Sequence, residues 1–199
     1  AGFASASVAV LKDSSMTVAG SWFEDNVGQS AIVASSSTLD IAHTAFDGNA
    51  DSSEQMVGRR RLSEGVDPTI RQGGTISLWA GSVATLAHSS FASNGGWSAG
   101  ALFVADEGTT VSFEHLTFTG NQASSPDSAA GAIHVSGGAA VVGAHSTFVE
   151  NAAASQWAAG AIYANSATVT LSDAVFTGNR AAAHAAAGSH AGSGALYAD

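Results

Sequence analysis

Apolar and polar positions alternate in short runs that recur along the whole chain. Seven positions before each of six phenylalanines stand Met16, Leu39, Ala84, Val111, Val141 and Val169. Five positions before them stand Val18, Ile41, Leu86, Phe113, Gly143 and Leu171. Between these two sets lie Thr17, Asp40, Thr85, Ser112, Val142 and Thr170, which are mostly polar. Successive strand side chains point to opposite faces, so this alternation predicts strands with one face turned to a core. Each run continues into a Phe-x-x-Asn corner: Phe23/Asn26, Phe46/Asn49, Phe91/Asn94, Phe118/Asn121, Phe148/Asn151 and Phe176/Asn179. A second run opens each unit, with first aliphatics Val8, Ile32, Ile76, Leu102, Ile133, Ile162 and Leu196.

Self-similarity at a spacing of this kind is the signature of a stacked repeat. The expected fold is all-β: a single right-handed parallel β-helix of about seven coils, with columns of like residues roughly 4.8 Å apart. The six phenylalanines are expected to stack inside and the six asparagines to line one bend. The distance from the Gly-Ala run to the following Phe is nearly constant, at 15, 16, 17, 16 and 15 residues. From each Asn to the next run it is not: 5, 26, 7, 11, 10 and 16 residues. Length variation therefore lies on one corner, and insertions confined to one face often mark the binding face. Residues 50–72, with Arg59-Arg60-Arg61 and Pro68 and no alternation, are expected to be an inserted loop in an otherwise continuous stack over residues 1–199. Both ends fall inside a repeat, so the stack is expected to belong to a longer protein.

Composition narrows the partners. The formal net charge is −10 with only six Lys and Arg, which argues against nucleic acid, since a phosphate backbone needs clustered cations. There is no cysteine, hence no disulfide and no thiolate metal site. No apolar run approaches the roughly 18 residues of a membrane span.

The paired Gly-Ala-aliphatic and Phe-x-x-Asn motifs resemble the repeats of the chlamydial polymorphic outer membrane proteins and their relatives in other microbes. The runs that carry the likeness are Gly100-Ala101-Leu102, Gly131-Ala132-Ile133, Gly160-Ala161-Ile162 and Gly194-Ala195-Leu196, together with the six Phe-x-x-Asn corners. The glycine that precedes this triplet in the family is Ala or Ser here. The resemblance implies a parallel β-helix displayed at a cell surface, often adhesive, and supplies no catalytic residue.

Three positions before the phenylalanines, four imidazoles share one column: His43, His88, His115 and His145, bounded by Gly20 and Asp173. Such a column offers nitrogen ligands to zinc or copper, but a straight row converges poorly on a tetrahedral ion. Stacking at a turn is the expected role, and no cofactor or metal is assigned. The Asn column is expected to bond the backbone and its own neighbours, since buried polar groups must be paired. Carboxylates paired on one face, as glycoside hydrolysis requires, are not found.

The chain is accordingly expected to be no enzyme but a structural or adhesive repeat module of a cell-surface or extracellular protein or filament. Its partner would be protein (itself or other subunits of an extracellular assembly) or a surface glycan. The alternatives are a carbohydrate-binding or ice-binding β-solenoid and a polysaccharide-active β-helix enzyme. The candidate interaction surface is the outward column beside the first aliphatics, where Phe103, His134, Tyr163 and Tyr197 form an aromatic stripe. If exposed, such a stripe would be an interaction site. The competing expectation is that the long loops after Asn121, Asn151 and Asn179, with Trp97 and Trp157, fold back over it.

Overall fold

The computed structural model describes residues 9–28, 30–51, 73–183 and 192–198. Every strand pairing among them is parallel, and each pairs a segment with its counterpart one repeat away. The outcome is a parallel β-helix. Its first sheet has seven strands, from Ala9–Lys12 to Leu196–Ala198, and the second, third and fourth sheets have six each. Seven coils at the inter-strand spacing give a stack roughly 30 Å long.

The second sheet runs from Ser15–Ala19 to Thr168–Ser172, and its register sets Met16, Leu39, Ala84, Val111, Val141 and Val169 in one inward column. Phe113 and Gly143 are neighbours in the next inward column, and a Cβ on Gly143 would overlap the Phe113 ring. The glycine is thus the space that the phenylalanine fills. In the third sheet the six phenylalanines stack face to face, with ring centroids 4.7–5.2 Å apart. Phe46, Phe91, Phe118 and Phe148 are wholly buried.

At the bend beyond, the asparagines form a continuous ladder. The side-chain N–H of Asn94 donates to Asn121 Oδ1 at 2.9 Å and also to the Phe46 carbonyl at 3.0 Å, while the Asn94 backbone N–H donates to the same Oδ1 at 3.1 Å. Asn49, Asn121 and Asn151 repeat this triple arrangement, and Asn26 and Asn179 end the ladder. Every amide is spent on the stack, which is how a buried polar column avoids its desolvation penalty.

In three successive coils glycine stands where two backbones meet. A Cβ on Gly100, Gly131 or Gly160 would overlap the carbonyl oxygen of the equivalent glycine one coil on. It would also press on a backbone N–H of the fourth sheet, that of Gln122, Ala152 or Arg180 respectively. The Gly-Ala-aliphatic motif is therefore a steric requirement of the stack, not a turn signal.

Two expectations are corrected. Ala9, not Val8, stands opposite Ile32, and Val10 stands opposite Val33. In Val8-Ala9-Val10-Leu11 apolar residues occupy both parities, so alternation cannot choose the face. The interval decides it: fourteen residues separate Ala9 from Phe23, as they separate Ile32 from Phe46. The insertion also starts later than residue 50, because Ala50–Asp51 is a strand of the fourth sheet, paired with Val27–Gly28. The remainder of that expected loop, from 52 to 72, lies outside the described residues.

Candidate functional site

The aromatic stripe is not a surface. Phe103, His134 and Tyr163 expose 2%, 5% and 3% of their area, and Tyr197 is half-buried. Their rings do follow one another along the outer side of the first sheet, at centroid separations of 5.3, 4.9 and 5.3 Å. What covers them is the lengthened corner. Ser128–Ala130 and Trp157–Ala159 pair as an extra two-stranded sheet, extended by bridges from Ala130 to Ala99 and from Ala159 to Ser193. Ala130, Ala159 and Trp157 pack on Tyr163 and Tyr197, and Ala99 with Trp79 packs on Phe103. The candidate interaction surface at Phe103, His134, Tyr163 and Tyr197 is thus a second small core, because these loops return over the sheet.

Within it, His134 is anomalous. Its Nδ1 has no hydrogen-bond partner. Burial holds its pKa down from 6.5 to about 4, an effect that a hydrogen bond to the Ser98 backbone partly offsets. The ring is a neutral aromatic spacer between Phe103 and Tyr163, carrying one unpaired polar atom.

The phenylalanine and asparagine columns are internal, as described above. The histidine column, by contrast, faces solvent. His43, His88, His115 and His145 all adopt left-handed backbone conformations, with φ of 51°, 47°, 51° and 49°. Gly20 and Asp173 share that conformation at the same corner. Glycine, aspartate and histidine are residue types that tolerate this region, so the corner geometry selects the column's chemistry. The four rings stack at 5.1, 4.8 and 5.1 Å and within 15° of parallel. At one end His145 Nδ1 meets Asp173 Oδ2 at 3.5 Å, both side chains largely exposed.

Beside this ladder runs a shallow open groove of about 600 Å³. His43, His88 and His115 line it together with Trp22, Ser90 and Thr117 of the third sheet's outer face. Trp22 is 68% exposed. It heads the outward column Trp22, Ala45, Ser90, Thr117, Thr147 and Val175, a column that sequence reasoning did not single out. The available signal was a tryptophan on the polar side of a strand. The groove floor is saturated: Thr44 Oγ1 and Ser89 Oγ donate to the Ala42 and Ala87 carbonyls, and the Thr44 backbone N–H donates to Ser89 Oγ.

Among the described residues no group of three or more His, Cys, Asp or Glu is placed to hold a metal ion. No described helix is long and apolar enough to cross a membrane. No protein-family model, no curated protein and no solved structure matches the chain.

Proposed function

We propose that the chain is a non-catalytic structural or adhesive module of a cell-surface or extracellular assembly. The observation that carries this reading is the saturation of the repeat. The Asn ladder and the Ser/Thr corners satisfy their polar groups within the stack. Among the described residues, what faces solvent is a set of regular ladders along a rod, such as the imidazole column, and not a convergent set of acids and bases. Catalysis needs groups of perturbed ionisation gathered in a cleft. Among the described residues the one group with a displaced pKa, His134, is sealed in apolar packing. The likeness of the repeat motifs to surface-displayed adhesive repeats points the same way.

Two measurements on the purified chain test the reading. Incubation with neutral and acidic polysaccharides should release no new reducing ends and no unsaturated sugars, and steady turnover would overturn it. Sedimentation velocity and binding to immobilised cells or extracellular matrix should show association of the rod with itself or with a surface.

A further inference from the structure

We propose that the groove beside the histidine ladder binds an extended, uncharged glycan chain lying along the stack axis. This rests on the adhesive reading and names the ligand class and the face that takes it.

Periodicity points to a linear polymer. The ladder presents one imidazole every 4.8–5.1 Å across His43, His88 and His115. Because ring faces stack on each other, ring edges and their nitrogens are left toward solvent. An unprotonated imidazole offers one donor and one acceptor, the complement of a sugar hydroxyl pair. A linked pyranose in an extended chain advances by about one inter-strand step, so successive sugars meet successive coils in the same register.

The surroundings of the ladder suit a neutral sugar. Ser90 and Thr117 add hydroxyls on the opposite wall, and Trp22 closes one end with an exposed indole face. An exposed indole supplies a flat apolar platform, and the C–H face of a pyranose fits it. The lining contains no Lys, Arg, Asp or Glu. Exposed Glu114 adjoins His115, exposed Asp40 lies on the neighbouring sheet face, and the chain carries −10 overall, so an anionic polymer is repelled.

A peptide docking by strand addition is disfavoured by the backbone. An extended peptide would dock by adding a strand, which needs unpaired backbone. The backbone N–H groups of His43, His88 and His115 donate to the next coil at 3.1, 3.1 and 3.2 Å. Those of Ala45, Ser90 and Thr117 donate to the preceding coil at 3.0, 3.0 and 3.1 Å. None of these N–H groups is free to add a strand.

The test is calorimetric titration of the 199-residue protein with neutral oligosaccharides of glucose, mannose and xylose of increasing length, and with oligogalacturonate. Affinity for at least one neutral series should rise with length and level off once the chain spans the groove, while oligogalacturonate should bind at least ten-fold more weakly. His88→Asn with His115→Asn keeps residues that accept the left-handed corner, and should weaken binding ten-fold or more, as should Trp22→Ala. Val142→Ser, on the exposed face of the second sheet, should change nothing. Should the histidine pair fail to fold, shifts of the His88 and His115 ring protons on adding the oligosaccharide give the same readout in the unmutated protein. Equal affinity in the groove variants, unshifted ring protons, preference for the acidic chain, or no neutral series bound would each overturn the groove assignment. None of those results touches the adhesive reading, which falls on turnover of a polysaccharide.

Discussion

At the scale of the residue, what distinguishes one polar side chain from another is whether its coil supplies a partner. His134 lacks one at Nδ1, and its burial sets the sign of its pH dependence. The unfolded imidazole takes up a proton near pH 6.5, whereas the folded ring resists until about pH 4. Stability is therefore full above pH 6.5 and falls as the pH drops between the two values. The loss from this group amounts to roughly 3 kcal/mol, at about 1.4 kcal/mol per unit. His134→Phe keeps a flat ring between Phe103 and Tyr163. It should be at least as stable at pH 7 and lose much less stability at pH 4.5, as read by thermal unfolding at both values. An unchanged acid dependence would mean that His134 does not titrate against burial. The asparagines are the opposite case. Asn121→Ala orphans the backbone and side-chain N–H groups of buried Asn94, at about 1–3 kcal/mol for each donor. Asn26→Ala should cost far less, because Asn49 Oδ1 still receives the backbone N–H of residue 26. Denaturant unfolding of the two variants checks the ranking.

Elements in this fold are held apart by very little, and glycine marks where the gap is smallest. Gly131→Ala forces a Cβ onto the Gly160 carbonyl and the Ala152 N–H, neither of which moves without breaking the stack. A cost at or above the roughly 1–3 kcal/mol typical of overpacking is expected, with loss of soluble protein as the extreme outcome. Gly120→Ala meets nothing within 4 Å and carries only the penalty of φ +64°, about 1–2 kcal/mol. Melting temperatures that rank the two the other way would refute the steric account of the Gly-Ala motif. The same contrast explains what the sequence made legible. Period-2 alternation and the Phe and Asn columns announce the second and third sheets directly, since each position has one dominant residue type. The fourth sheet was not legible, because strands such as Gly95–Gly96 and Gln122–Ala123 are two residues long and alternate nothing. The cover of the aromatic stripe was legible in outline, as loops folding back with Trp157, but the extra sheet was not, since Ser128-Ala129-Ala130 and Ala158-Ala159 pack by being small and carry no hydrophobic period. Of the candidate site, the histidine column was plain in the sequence. Its wall of Trp22, Ser90 and Thr117 becomes visible only when the coils are laid in register.

For the molecule as a whole, stability is a sum over neighbouring coils, because each coil touches only the one before and the one after. Burial is graded accordingly. Phe46, Phe91, Phe118 and Phe148 are wholly enclosed, whereas Phe176, Val169 and Leu171 of the sixth coil are only partly buried. Truncating an enclosed phenylalanine removes a ring contacted on both sides and leaves a cavity, which costs roughly 3–5 kcal/mol. Phe118 stacks on Phe91 at 5.2 Å and on Phe148 at 4.7 Å, while Phe176 stacks on Phe148 at 4.7 Å from the end of the column. Phe118→Ala is therefore expected to destabilise this 199-residue chain clearly more than Phe176→Ala. Native-state hydrogen exchange should show the same gradient in the unmutated protein, with the third to fifth coils exchanging slowest and the first and sixth opening independently at lower free energy. Uniform protection along all the coils, together with equal costs for the two substitutions, would show that the stack unfolds as one unit and that coil-by-coil additivity is the wrong description.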